Sequence, residues 1–256
     1  MLMIAYVVAA GAGVVRKGKK QAVVNDEIQR GRADELEELG KLTGHLAHEI
    51  KNPLSTIKVN LKLISEDIDG NDRKAARALK KIAVVRKETD RIEQILNDFL
   101  RYIGKTELRI VEADINELIG DMIDFYNPQA QSHLILIRPG LCEYPLICKI
   151  DVDMLKQVVL NLFINAQQAM TNGGELIIRT DKEQNWAVIT ISDTGKGIER
   201  ENLGRIFEAY YSTKPAGSGL GLSIAKKVID AHNGTIKIDS EPGRGTAFII
   251  RLPLKK

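Results

Sequence analysis

The sequence predicts an α+β protein, with an antiparallel helical hairpin that pairs into a dimeric four-helix bundle and a two-layer α/β sandwich after it. Three observations carry this expectation. Apolar residues recur at steps of three and four from about Asn25 to Ile68, and again up to about Tyr102, which is amphipathic-helix spacing. Between the two runs, Asp69-Gly70-Asn71-Asp72 is a strong turn signal. After Gly104 the long stripes give way to short alternating segments and capped helices, and 256 residues suffice for two small cores.

Composition narrows the function class. A hydrophobic content of 44% with 28% charged residues describes an ordered globular chain. The formal charge of +3 is too small to argue for a nucleic-acid partner, and none is expected. Cys142 and Cys148 have no metal-site spacing and make no disulfide framework, so a cytoplasmic catalytic region is expected. Met1 to Val15 is nearly all apolar, with Arg16-Lys17-Gly18-Lys19-Lys20 directly after it. As a helix this run would reach roughly 22 Å, short of a bilayer core of about 30 Å. A signal peptide carries its charge before the apolar run, whereas here the charge follows it. Residues 1–24 are therefore read as the remnant of a membrane anchor at the inner face of the membrane. The alternative is a plain chain boundary with no membrane role.

Residues 25–105 form the hairpin. Leu36, Leu39, Leu42, Leu46, Ile50, Ile57, Leu61 and Ile64 make the first stripe. Leu79, Ile82, Val85, Thr89, Ile92, Ile95, Leu96 and Phe99 are expected inward on the second helix. A lone hairpin buries only one stripe per helix, and a symmetric homodimer would complete the core. In residues 106–256, Leu108 to Val111 reads as a strand, and Asp114 caps a helix to about Tyr126. Leu134 to Ile137 and Leu146 to Ile150 read as strands, and Asp153 is expected to cap a helix running to about Met170. Glu175 to Thr180 and Trp186 to Ser192 alternate as strands. A helix over Ile224 to Ala231 stops at Asn233-Gly234, and Thr235 to Asp239 and Ala247 to Leu252 are the last strands. Antiparallel pairing is expected for these strands.

Chemistry concentrates in a few places. His48-Glu-Ile-Lys-Asn-Pro-Leu54 puts a nucleophile, a possible base (Glu49) and an orienting amide (Asn52) within one helical turn, and Pro53 invites a kink. Asn161 and Asn165 are four apart, so both amides project from one helical face. Neutral oxygen donors suit Mg²⁺ already held by phosphates, while the plain alternative is two surface amides. Asp193-Thr-Gly-Lys-Gly197 follows a strand, where the carboxylate can accept from an exocyclic amine, although the same pattern is also a common turn. Gly217-Ser-Gly-Leu-Gly221 precedes a helix, so its backbone N–H groups can face phosphate. It lacks the G-K-[ST] ending of a Walker loop and does not follow a strand as a dinucleotide fingerprint does. Phe207 to Lys214 joins aromatic residues to a cationic segment and reads as a lid, and Gly243-Arg-Gly-Thr246 is a glycine turn between the last strands.

Taken in order, H-E-I-K-N-P, N-L-F-I-N-A, D-T-G-K-G, F-E-A-Y-Y-S-T-K, G-S-G-L-G-L and G-R-G-T resemble the H, N, G1, F, G2 and G3 boxes of sensor histidine kinases. The resemblance spans roughly Leu39 to Leu252, and its wording is most similar to the nitrogen-regulation type. It departs at Gln168, where many relatives carry a basic or aromatic residue. The resemblance implies a dimerisation and phosphoacceptor hairpin followed by a Bergerat-type ATP-binding domain. It implies autophosphorylation of His48 from ATP and transfer to an aspartate on a response regulator receiver domain. Glu49 would orient the imidazole and take its proton. Glu49 and Asn52 also match the E-x-x-N pattern associated with regulator phosphatase activity. Asn165 would bind Mg²⁺, with Asn161 supporting the phosphates, and Asp193 would recognise adenine in a pocket shaped by Gly195 and Gly197. Gly219 and Gly221 would shape the lid, and Phe207, Lys214, Gly217, Leu220 and Thr246 are further ATP-binding positions.

Competing readings are weaker. His45 and His48 are three apart but lack the H-E-x-x-H zincin order, and His133 and His232 read as surface or packing residues. An ATPase of the same nucleotide fold without histidine kinase activity is the main alternative, but it has no need of a histidine-bearing hairpin. A non-enzymatic docking dimer would not need Asn165, Asp193 and the glycine boxes.

Overall fold

The computed structural model describes residues 43, 46–47, 49–64, 72–103, 108–213 and 219–255. His48, Lys214 and Gly217, the turn over 69–71 and the apolar N-terminal run lie outside the described residues. The chain divides into two compact units, 1–52 and 53–256. In the first, residues 49–52 are helical, with Glu49 half-buried and Asn52 exposed.

The second unit opens with two helices, α1 over 53–64 and α2 over Asp72–Ile103. Lys81 Nζ donates to the Leu63 carbonyl at 3.2 Å, linking the two. The expected inward stripe is only partly covered. Of its residues Ile95 is buried, but Leu61, Leu79, Ile82 and Leu96 are exposed, as is Thr89; outside the stripe, Tyr102 is buried and Leu100 exposed. A two-helix layer has no second layer to bury these side chains against.

A mixed five-stranded sheet and a two-stranded one follow. The large sheet has the order β2-β4-β5-β7-β6 and the small one pairs β1 with β3, with β1 over Val111–Asp114, β2 over Ile135–Gly140 and β3 over Ile147–Ile150. The long strands are β4 (Gly174–Glu183), β5 (Trp186–Asp193), β6 (Thr235–Glu241) and β7 (Gly245–Pro253). Pairing is antiparallel except between β2 and β4, which run parallel. That corrects the all-antiparallel expectation. The chain leaves β2 and re-enters the sheet beside it only after crossing through a helix, and such a crossover delivers a parallel neighbour.

The covering helices are α3 (Ile115–Ser132), α4 (Val152–Ala169) and α6 (Gly221–Ala231), with a short α5 at Arg200–Leu203. α4 lies between α3 and α6 and packs on β5 and β7. It buries Leu155, Val158, Val159, Leu162, Phe163 and Ala166, a stripe at three- and four-residue steps. Each of the five larger side chains contributes about 1.5–3 kcal/mol by leaving water. Tyr126 of α3 meets Phe163 with ring centroids 5.3 Å apart and donates to the Gln167 side-chain oxygen. Burial pushes its phenol up to about 12.

Several boundaries move for identifiable reasons. Asp114 caps α3 as expected, accepting from Asn116 N–H, but the helix continues through Pro128 to Ser132. The α4 cap is Asp151, which accepts from Met154 N–H at 3.1 Å; Asp153 sits inside the first turn instead, where an acidic side chain meets the positive end of the helix. α6 begins at Gly221 rather than Ile224. β1 and β2 lie C-terminal to their expected positions. At the end of α6, Asn233 takes the left-handed conformation (φ 56) and Gly234 N–H returns to Ile229 O at 2.9 Å, a helix stop of the kind the Asn-Gly pair signals. His232 is the packing residue: its Nε2 accepts from Asp151 N–H at 2.8 Å, so Nδ1 carries the proton donated to Val228 O at 2.7 Å. His133 is exposed.

Candidate nucleotide-binding site

Strand register builds the floor. Asp193 pairs with Leu176 on one side and Thr246 on the other, and Thr246 pairs with Ser240. Residues two apart share a face, so Asp193 points the same way as the buried Ile189 and Ile191. A one-residue slip would turn it to the opposite face. Asp193 is 7% exposed, and its Oδ1 accepts from Gly195 N–H at 2.8 Å. Beside it lies a network of buried hydroxyls. Ser240 Oγ accepts from Ile198 N–H at 2.9 Å, donates to Gly245 O at 2.8 Å and lies 3.0 Å from Thr246 Oγ1.

The helix α4 forms one wall. Asn161, Asn165 and Gln168 follow each other at i, i+4 and i+7, flanking the buried stripe. The Asn161 amide reaches toward Gly221 O at 3.5 Å, at the first turn of α6. The segment before α6 closes the opposite side. Tyr210 N–H donates to Gly219 O at 3.1 Å. Tyr211 is held by its hydroxyl bond to Asn202 Oδ1 at 2.6 Å and by the Arg205 guanidinium 4.3 Å from its ring centroid.

These elements enclose a cavity of about 510 Å³, within the usual range for a small-molecule site. Asn161, Asn165, Asp193, Gly197, Gly219, Gly221 and Thr246 all line it. Among the described residues, three other positions expected to bind ATP do not. Gly195 supports the wall from behind, where a Cβ would come within 2.7 Å of the Ala169 side chain. Leu220 is buried in the core, and Phe207 is half-buried away from the cavity. Gly197 is required for its conformation. Its φ is +69, and a Cβ there would lie 2.0 Å from the Glu241 carbonyl oxygen.

Other residues also line the cavity: Lys196 and Tyr211, which lie within two of the motifs but had no individual role, Asn202 and Phe248, and, from α2, Arg91, Ile95 and Asp98. Phe248 was legible as the position two beyond Thr246 on the same strand face. The α2 residues carried no signal, because helical spacing shows that a face exists and not what it meets.

The donor set fits a nucleoside triphosphate with a divalent ion. A buried carboxylate can take an amine hydrogen, closely placed backbone can border a flat ring, and two amides stand along one wall. Among the described residues no group of three His, Cys, Asp or Glu is placed to hold a metal, so an ion here would be shared between an amide oxygen and phosphate.

Fold and site together define a nucleotide-binding α/β sandwich next to a helical hairpin. Residues 150–256 match the family described as histidine kinase-, DNA gyrase B-, and HSP90-like ATPase. Residues 38–103 match the His Kinase A (phospho-acceptor) domain. Sensor histidine kinase ZraS of Escherichia coli strain K12 is 32% identical over 236 residues, covering 92% of this chain and 50% of that protein. Sporulation kinase A of Bacillus subtilis strain 168 is 34% identical over 244 residues, covering 92% of this chain and 39% of that protein. The crystal structure of histidine kinase ThkA in complex with response regulator protein TrrA superposes with a TM-score of 0.75 at 28% identity. It covers 90% of this chain and 66% of that one. The chain carries the phospho-acceptor and ATPase-type domains that it shares with sensor histidine kinases of two-component systems, and its ATPase-type domain is an ATP-binding one. It spans half or less of the length of these two curated relatives. Among the described residues no helix is long and apolar enough to cross a membrane.

Proposed function

We propose that the protein phosphorylates itself on His48 from ATP and passes the phosphoryl group to an aspartate of a response regulator receiver domain. The observation that carries this reading is the cavity that gathers Asn161, Asn165, Asp193, Gly197, Gly219 and Thr246 in a chain that also bears the H-E-I-K-N-P motif. In the proposed chemistry an imidazole nitrogen of His48 attacks the γ-phosphorus, the bond to the β–γ bridging oxygen breaks, and ADP leaves. Glu49 takes the imidazole proton. Asp193 orients adenine through its exocyclic amine, and its rigid bond to Gly195 N–H keeps the carboxylate aimed. Asn165 would hold Mg²⁺ with Asn161 beside it, and the ion would neutralise developing phosphate charge. Lys214 and Gly217 belong to the lid in this reading.

Asn52, exposed on its helix, orients the water that hydrolyses the regulator's acyl phosphate, so the protein is a bifunctional kinase and phosphatase. The exposed apolar side chains of α1 and α2 support a homodimeric four-helix bundle. The domain division proposed is 1–24 as anchor remnant and basic flank, 25–105 as hairpin and 106–256 as ATP-binding domain. The catalytic region works on the cytoplasmic side of the membrane.

Incubation with ATP labelled in its γ-phosphate tests the reading. Acid-labile, alkali-stable label is expected on the wild-type protein, absent from His48→Gln and chased onto a receiver domain. Hydrolysis of ATP without labelling would instead favour an ATPase of the same fold.

A further inference from the structure

The nucleotide cavity is not built from the ATP-binding domain alone. Arg91, Ile95 and Asp98 of α2 also line it, at i, i+4 and i+7 on one helical face. Ile95 is 3% exposed, so this stretch of helix is seated rather than merely nearby. Four residues beyond Asp98, Tyr102 is also buried. Lys227 of α6 lies 3.4 Å from its ring centroid and donates to its carbonyl at 3.2 Å.

Arg91 stands out on this face. Its Nε is buried without a hydrogen-bond partner among the described residues. The carboxylate it approaches, Glu88 one turn earlier, is 3.9 Å away, too far for a hydrogen bond. The side chain as a whole is 34% exposed, but a buried Nε–H left unsatisfied is still costly unless some ligand completes it. Among the described lining residues only Arg91 and Lys196 are cationic. Lys196 is held in the turn after Asp193 by backbone bonds to Ala169 O and from Gly243 N–H, which places it at the base end of the cavity. A triphosphate is a polyanion, and the guanidinium fork suits phosphate oxygens.

We propose that Arg91, carried by the hairpin and not by the ATP-binding domain, binds the terminal phosphate of the nucleotide. The protein then distinguishes a nucleoside triphosphate from a diphosphate through its second helix. Tri- and diphosphate states differ in how firmly α2 is held against the cavity. This inference rests on the nucleotide-site reading above.

The test is calorimetric titration of the full chain, with Mg²⁺ present, using ADP and an ATP analogue with an imido bridge between the β and γ phosphates. Arg91→Ala is expected to weaken the analogue by about tenfold, the effect of losing one charge-assisted contact at a partly exposed site. ADP affinity is expected to stay within about twofold. Arg91→Lys should fall between, because it keeps the charge but not the fork. Equal losses for both nucleotides would mean that Arg91 only braces the wall, and no loss for either would mean that it faces solvent; each overturns the proposal. A wild-type chain that binds neither nucleotide overturns the nucleotide-site reading and this inference with it. Wild-type binding with unchanged selectivity in Arg91→Ala overturns the inference alone.

Discussion

Alanine at Gly245 should damage both the fold and the nucleotide site, whereas alanine two residues earlier should do neither severely. Gly245 has φ +95, and a Cβ there would lie 1.9 Å from the Asp193 carbonyl oxygen, 2.9 Å from its carbonyl carbon and 3.1 Å from Thr194 Cα. All three are backbone atoms of the strand and turn that present Asp193, so no side chain can rotate away. Left-handed backbone costs an alanine about 1–2 kcal/mol, and forcing the strands apart adds about 1–3 kcal/mol. Gly243 has φ +78 but nothing within 4 Å of its Cβ position, so only the conformational cost applies there. Both variants lose the same unfolded-state entropy, which cancels in the comparison. Gly245→Ala is therefore expected to be about 1–3 kcal/mol less stable than Gly243→Ala, read from urea midpoints of the full chain followed by circular dichroism. Its affinity for ADP should also fall, because the displaced atoms carry the Asp193 carboxylate that lines the cavity, while Gly243→Ala should bind as the wild type does. Equal midpoints for the two variants would refute the contact argument and the register behind it.

Two further predictions concern carboxylates. Asp193→Asn keeps an oxygen for Gly195 N–H but replaces acceptor with donor elsewhere on the group. It should stay within about 1 kcal/mol of wild-type stability yet lose at least about tenfold in nucleotide affinity, and unchanged affinity would remove Asp193 from the base-recognition role. Asp151 is buried, which works against its charge, but backbone N–H groups of Arg109 and Met154 donate to it and hold its carboxyl below the usual range. A depressed folded value means that the stabilisation is complete above the ordinary aspartate pKa and is lost as pH falls through the folded one. Asp151→Asn keeps a capping oxygen, so it should cost on the order of 1 kcal/mol near pH 6. That gap should shrink as denaturation is repeated at lower pH, and a gap independent of pH would show that the charge contributes nothing.

The sites most legible in the sequence are those where chemistry forces a local pattern. Asn161 and Asn165 had to share a face once α4 was a helix, and Asp193 had to end a strand for its turn to follow. The glycines at 197 and 245 announce backbone that passes too close for a side chain, and the structure shows which atoms crowd them. Boundaries were less legible because competing caps look alike. Asp151 and Asp153 are two residues apart and chemically identical, and only Asp151 has Arg109 and Met154 N–H groups within reach. The helix expected to end at about Tyr126 runs on through Pro128, with the buried Tyr126 and Ala130 on either side of it.

By itself the sequence determined the helical and strand periods, the order of the nucleotide-binding motifs and the residue types that can meet adenine, phosphate and a divalent ion. These follow from local rules, since spacing along one chain decides which side chains share a face. Tertiary structure alone decided that β2 runs parallel to β4, that Phe207 stays off the cavity while Tyr211 lines it, and that Arg91, Ile95 and Asp98 of the hairpin complete its wall. Those facts depend on how separate elements dock. Docking is governed by the summed burial of many side chains, and no short window of the chain records that sum.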